Sequence, residues 1–120
     1  MPRHDPVRVE KPWGYELIWA RSGRYVGKVL HINKGEALSL QYHLRKDETI
    51  HVLAGEIRLQ TGEEGEELSE TVLRPGESFH ITPLLRHRMI AQSDCDILEA
   101  STPELDDVVR LEDRYGRVKK

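Results

Sequence analysis

The chain has 120 residues, of which 32% are charged and 38% hydrophobic, with a net charge of −3 and a pI near 6.1. That length supports one domain with a single core, and no apolar run reaches the ~20 residues that a membrane-spanning helix needs. The mildly acidic balance gives no electrostatic footprint for nucleic acid, and a lone cysteine, Cys95, excludes a disulfide within the chain.

The first residues, MPRHDPVRVEKPW, hold no apolar segment of the secretory kind. Together with the single cysteine this predicts a cytoplasmic protein. Residues 1–12 are expected to form an N-terminal arm. Short runs rich in Val, Ile, Leu and Tyr follow: YELIWA, YVGKVLHI, ALSLQYH, TIHVLAG, EIRLQT, ETVL, SFHIT, HRMIA and CDILEAST. Glycine and proline punctuate them, at Gly14, Gly23, Gly27, Gly35, Gly55, Gly62, Gly65, Pro75, Gly76 and Pro83. Many short strands at near-regular spacing predict a β-sandwich or barrel. TGEEGEE, residues 61–67, reads as a polar hairpin tip. ELDDVVRLEDRYG, residues 104–116, fits either a short helix or a final turn, within a C-terminal tail expected over 103–120. The basic end, RYGRVKK, reads as solvated chain, because acidic residues interrupt it just upstream.

Side chains alternate faces along a strand, so parity sorts the candidates. Gln41 and His43 are expected on one face with Ala37 and Ser39, and Glu48 on one face with Ile50 and Val52. A glutamate in step with core residues needs a partner, since Glu is almost never fully buried without one. Leu38, Leu40, Tyr42 and Leu53 carry the opposite parity and are too apolar to face water as a patch. A second subunit or the N-terminal arm is expected to cover them, and the chain is predicted to be a homodimer. Lys28 shares the parity of Val26, Leu30 and Ile32, which points it into the lumen; the alternative is a lysine whose ammonium escapes to the barrel rim.

The spacing of the polar residues is regular. Gly35 is followed by five residues, then Gln41, Tyr42 and His43; four more lead to Glu48 and six more to Gly55. Downstream, Gly76 is followed by five residues, Thr82-Pro83-Leu84, two residues and His87. This resembles the two-part signature of the cupins, with Gln41 in place of the first histidine and Thr82, Leu84 and Ala91 in place of Pro, Gly and Asn in the second half. The run LSLQYH resembles that of cupin-type phosphomannose isomerases, in which Gln, His, Glu and a later His bind a metal. The C-terminal cupin domain of the two-domain phosphomannose isomerases that also carry a nucleotidyltransferase half is similar over more of the chain. "KPWGYE", residues 11–16, and "DDVVRLEDRYGR", residues 106–117, resemble its opening and its close. Where that family has His-His-His-Arg, this chain has His43-Leu44-Arg45-Lys46, so Lys46 keeps the charge and loses the bidentate fork.

The resemblance implies an all-β, single-domain cupin jelly-roll β-barrel over residues 1–120, with Gln41, His43, Glu48 and His87 as metal ligands. The residue types support a metal independently: two imidazoles, a carboxylate and an amide oxygen suit a divalent transition ion, Zn or Mn first, then Fe, Co or Ni. Lys28 is a candidate for holding a substrate phosphate, Lys46 is the alternative anchor at the mouth, and Glu99 is a candidate general base. His80 is read as structural, His51 as facing away from the metal, and Trp13 and Trp19 as packing residues. Cys95 shows no nucleophile context, and no role is assigned to Tyr115 or Arg117. The leading functional expectation is a metal-dependent aldose–ketose isomerase acting on a small phosphorylated sugar such as mannose 6-phosphate. The alternatives are a non-catalytic, metal-bearing sugar or sugar-nucleotide binding module, and another cupin activity such as a metal-dependent oxygenase.

Overall fold

Alternation of buried and exposed side chains, read above as strand parity, recurs along most of the chain in the computed structural model, which describes residue 3 and residues 5–118. Lys119 and Lys120 of the basic end lie outside the described residues. Among the described residues eleven strands follow in chain order: β1 (Val7–Lys11), β2 (Gly14–Arg21), β3 (Val26–Ile32), β4 (Leu40–Tyr42), β5 (Glu48–Ala54), β6 (Ile57–Gly62), β7 (Ser69–Leu73), β8 (Ser78–Ile81), β9 (Arg86–Ala91), β10 (Cys95–Ser101) and β11 (Val109–Glu112). No helix among the described residues is long and apolar enough to cross a membrane.

The strands form two antiparallel sheets, one in the order β1-β2-β3-β10-β5-β8 and the other β11-β4-β9-β6-β7. This is a jelly roll, whose sheets face each other across one core. In β3, Val26, Lys28, Leu30 and Ile32 are buried; in β10, Cys95, Ile97, Glu99 and Ser101; in β5, Glu48, Ile50 and Val52. Ile32, Ile50, Val52, Ile97 and, from the facing sheet, Ile57 and Leu59 have no exposed surface. Each such side chain contributes about 1.5–3 kcal/mol of burial. Apart from Val26, the apolar members lie toward one end of these three strands. At the other end Lys28, Glu48 and Glu99 take the same inward parity, so the interior changes from oily to charged along its length.

A two-residue turn, Pro12-Trp13, joins β1 to β2 and drops Trp13 into the core at 2% exposure. Gly14 follows with φ +152, and a Cβ there would meet the His31 carbonyl oxygen at 1.9 Å, so only glycine fits. Trp19, expected as a packing residue, lies across Gly27 but remains 52% exposed, at a register shift between β2 and β3.

Four expectations are corrected. Residues 7–11, assigned to an arm outside the barrel, pair with β2 along the edge of the larger sheet. The C-terminal segment, expected as helix or turn, enters the smaller sheet as β11 beside β4. Parity also fails between Ala37 and Gln41. Ala37 bridges Ile90 while Gln41 pairs with His87, so four steps on one chain answer three on the other. The extra residue brings Leu38 inward, packed against the core, on the same side as Gln41. Finally, Leu40 is only 6% exposed within the single chain. Of the apolar face that motivated a homodimer, the exposed Leu53 and the half-buried Tyr42 remain.

Candidate metal centre

His43 directly follows β4, Glu48 opens β5, and His87 sits in β9 directly across from Gln41. The turn between His43 and Glu48 is held by a residue that sequence reasoning missed. The Asp107 carboxylate accepts the backbone N–H groups of Leu44 (3.0 Å), Arg45 (2.7 Å) and Lys46 (2.9 Å). Burial alone would raise the pKa of Asp107, but these three donors hold it below the usual carboxylate value. The Asp107 carbonyl accepts the Nδ1–H of His43 at 2.6 Å. From the other side, the Leu84 N–H donates to the His43 carbonyl at 2.7 Å, from a turn in which Leu84 has φ 72. Leucine thus keeps the left-handed conformation at the position where the cupin signature has glycine.

The two rings are fixed in the same way. A carbonyl can only accept, so Nδ1 of His43 and Nδ1 of His87, 2.9 Å from the Leu85 oxygen, carry their protons. Burial lowers the pKa of both histidines, aided by the Lys46 charge at His43, so the rings are neutral and each Nε2 presents a lone pair. Those lone pairs point at a carboxylate. His43 Nε2 lies 3.6 Å from Glu48 Oε2 and His87 Nε2 lies 3.7 Å from Glu48 Oε1, both too long for hydrogen bonds. His43, Glu48 and His87 are 2%, 3% and 1% exposed, and neither Nε2 nor Glu48 Oε2 has a hydrogen-bond partner. Three buried electron-pair donors that face one another without a proton between them suit a cation. Their ligand atoms all lie within 4.8 Å of one another, compatible with metal–ligand bonds of ~2.0–2.2 Å to a central ion. The Nδ1–H bonds to backbone carbonyls are the outer contacts that fix metal-binding imidazoles elsewhere.

Gln41 faces the same cavity, and its Oε1 accepts the hydroxyl of the buried Ser39 at 2.6 Å, which orients the amide and leaves a second lone pair. Lys28, Lys46 and Glu99 are all inside as well, and they are paired. Lys46 Nζ lies 2.9 Å from Glu48 Oε2 and 3.2 Å from Glu99 Oε2; Lys28 Nζ lies 3.3 Å from Glu16 Oε1 and 4.0 Å from Glu99 Oε2. Glu16, Lys28, Glu99, Lys46 and Glu48 therefore form an alternating chain of charges through the lumen. Burial alone would lower the Lys46 pKa, but Glu99 and Glu48 hold it well above the ordinary lysine value. The Lys46–Glu48 and Lys46–Glu99 contacts are close but poorly angled, because Oε2 of each glutamate still lacks a hydrogen bond.

Of the remaining candidates Arg117 lines the cavity, while His80, His51, Cys95 and Tyr115 do not. His80 is exposed, with Nε2 2.6 Å from Asp47 Oδ1, and His51 faces away from the metal group, against the Ser78 hydroxyl at 2.7 Å. Cys95 is buried, and burial pushes its thiol pKa up, which suits packing and not attack. The Tyr115 hydroxyl donates to Glu36, and Arg117 is clamped by Asp113. The cavity encloses about 250 Å³. Its wall includes Arg110, which no sequence feature singled out; the inward parity of Val108 and Arg110 becomes visible only once β11 is known to be a strand.

The cupin domain family matches residues 28–100. The chain is 37% identical over 121 residues to mannose-1-phosphate guanylyltransferase ManC of Salmonella typhimurium, covering 96% of this chain and 24% of that protein. It is 31% identical over 116 residues to the xanthan biosynthesis protein XanB of Xanthomonas campestris pv. campestris, covering 92% of this chain and 24% of that protein. The chain thus spans about a quarter of the length of these curated relatives, and the region matched is their C-terminal cupin domain. Among solved structures, KdgF from Halomonas sp. superposes with a TM-score of 0.71 at 23% identity, covering 86% of this chain and 91% of that one, a likeness of fold. The chain belongs to the cupin family.

Proposed function

We propose that this cupin is a metal-dependent aldose–ketose isomerase of a small phosphorylated sugar, of the mannose 6-phosphate and fructose 6-phosphate kind. The observation that carries the reading is a cavity at which a buried, cation-seeking His43–Glu48–His87 group adjoins the Glu99 carboxylate, whose Oε2 lacks a hydrogen-bond partner. The sugar class is supported by the relatives, one of which is named for a mannose phosphate. Such a substrate belongs to the cytoplasm.

His43, Glu48 and His87 would hold the ion, with Gln41 as a fourth ligand, and the donor set suits Zn or Mn, and also Fe, Co or Ni. When bound, the ion supplies Lewis-acid polarisation of the sugar's carbonyl and hydroxyl oxygens. The rest falls to the chain's own groups. Glu99 takes the proton from the carbon beside the carbonyl and returns it to the former carbonyl carbon, while the hydroxyl proton passes from the first carbon's oxygen to the former carbonyl oxygen, so that the enediol between them collapses to the isomer and no atom is gained or lost. The Lys46 ammonium, 3.2 Å from Glu99, holds that carboxylate in place, and Trp13, Leu30, Leu38 and Met89 keep bulk water from the reacting carbons.

One observation favours a second reading, a sugar or sugar-nucleotide binding module without turnover. Lys46 sits 2.9 Å from Glu48 and competes with any ion for that carboxylate. Metal-loaded protein in deuterated water, assayed by NMR with mannose 6-phosphate and other hexose and pentose phosphates, separates the two. The isomerase incorporates deuterium at C1 or C2, and Glu99→Gln abolishes the exchange while binding persists. Sugars that bind without exchanging deuterium would establish the module instead.

A further inference from the structure

The lysines expected to hold a phosphate are already spent. Lys28 lies between Glu16 and Glu99, and Lys46 between Glu99 and Glu48, all in the lumen. The cavity has other cations. Arg110 and Arg117 both line it, at the edge formed by β11 and the segment after it. Among the described residues Arg110 makes no ion pair and no side-chain hydrogen bond, and its Nε is buried without a partner.

Arg117 is its neighbour. Asp113, whose side chain has no exposed surface, holds Arg117 through Nε at 2.8 Å and Nη2 at 3.0 Å, which fixes the guanidinium in place. The two positive groups are near enough to feel each other: burial first, and the Arg117 charge second, press Arg110 below the ordinary arginine pKa, while Asp113 and Glu16 partly offset this. Lys11 faces the same cavity, and the acidic residues of this edge are Glu16, already paired with Lys28, and the exposed Asp106. An unpaired guanidinium beside a second, pre-positioned one is the arrangement that a doubly charged oxyanion satisfies through charge-assisted, forked hydrogen bonds.

The sheet register sets the reach. Arg110 pairs across β11–β4 with Gln41, which pairs across β4–β9 with His87. Two strand spacings of ~4.8 Å therefore put the Arg110 backbone roughly 10 Å from that of His87. The phosphate of a hexose 6-phosphate likewise lies at the far end of the chain from its reacting C1 and C2.

We propose that Arg110, with Arg117 held by Asp113, forms the subsite for the phosphate group of the substrate, and that the buried lysines do not. The inference rests on the sugar-phosphate reading above but not on turnover, so binding tests it. Calorimetric titration of metal-loaded protein with mannose 6-phosphate, mannose and inorganic phosphate is compared between wild type and Arg110→Gln. Loss of one charge-assisted contact predicts ~10–100-fold weaker binding of mannose 6-phosphate and no change for mannose. Inorganic phosphate should compete with the phosphorylated sugar in wild type alone. If Arg110→Gln fails to fold, Arg110→Lys is read in its place: it keeps the charge and loses the fork, so a several-fold loss confined to the phosphorylated sugar supports the subsite. Unchanged affinity in the folded variant overturns the proposal, as does a wild-type protein that binds neither phosphate nor mannose 6-phosphate. Arginine-dependent binding without deuterium exchange would remove the isomerase reading and leave the subsite standing.

Discussion

Replacing Lys46 with methionine keeps the bulk of the side chain and removes the cation at the centre of the charge chain. Lys46, Glu48 and Glu99 are 5%, 3% and 5% exposed, so water cannot replace the missing charge. Breaking a buried pair by removing one partner costs ~3–5 kcal/mol, because the other charge is left uncompensated. Glu99 still has Lys28 at 4.0 Å, whereas Glu48 loses its only lysine, which places the loss near the lower end, at about 3 kcal/mol. For a 120-residue chain the unfolding entropy is about 0.25 kcal/mol per degree, so the metal-free variant should melt ~12 °C lower. A divalent ion should narrow the gap. With no ammonium 2.9 Å away, Glu48 in Lys46→Met is free to bind the ion, and each tenfold gain in metal affinity returns ~1.4 kcal/mol to the loaded variant. Chemical denaturation of chelator-treated and of Zn- or Mn-loaded samples, with metal affinity from calorimetry, reads both effects. A metal-free variant as stable as wild type, or a gap that widens when metal is added, would refute the view that Lys46 and the ion compete for one carboxylate.

Three further outcomes follow from the same geometry. A divalent metal should copurify, and His87→Ala should lose it far more readily than Gln41→Ala, because an imidazole donates more strongly than an amide already hydrogen-bonded to Ser39; elemental analysis that finds equal retention would contradict this ranking. Asp113 is held below its ordinary value of 3.8, chiefly by the Arg117 guanidinium, so it contributes stability that is present above about pH 3.8 and lost as pH falls through its lower folded value; Asp113→Asn should be less stable near neutrality and lack that acid-side slope in denaturation midpoints. Leu84→Gly should leave stability unchanged or raise it by up to about 1 kcal/mol, since leucine at φ 72 is strained and its side chain is 55% exposed; a clear loss on chemical denaturation would show that the side chain's packing outweighs the turn.

How far the sequence could be read depended on whether a strand was regular. In β5 the in-step Ile50 and Val52 place Glu48 inside, and in β3 Val26, Leu30 and Ile32 point Lys28 inward with the barrel rim as its alternative; Glu99 has no such anchor in the sequence, and the pairing of β10 with β3 and β5 fixes its parity. Between Ala37 and Gln41 one inserted residue reverses the parity, and nothing local in GEALSLQ marks it; the bulge is set by pairing with β9, a partner some fifty residues away in sequence. The C-terminal segment failed for another reason. VVRLE lies between acidic residues that suit a helix or turn equally well, and only the free edge of β4 makes it a strand. Missing β11 meant missing Arg110. Asp107 was invisible in the same way, because its contacts reach back more than sixty residues to the turn at Leu44–Lys46.

The division of labour between the sheets explains where each kind of ligand can bind. The larger sheet supplies the charges: Glu16 on β2, Lys28 on β3, Glu99 on β10 and Glu48 on β5, with Lys46 in the turn before it. Along that buried chain three carboxylates meet two ammonium groups, which leaves one negative charge in surplus there, with Lys11 of β1 facing the same cavity outside the chain. The smaller sheet brings no carboxylate to meet it, only the neutral ring of His87 and the amide of Gln41, and a guanidinium at the far edge. A cation is therefore favoured between the sheets, where the surplus carboxylate meets imidazole lone pairs, and not against either sheet alone. An anion meets the opposite field, repelled by the lumen and attracted to the rim. A dication beside Glu48 would reverse the sign of the surplus, so ion and anion would each make the other's binding more favourable, and linkage requires the two effects to be equal.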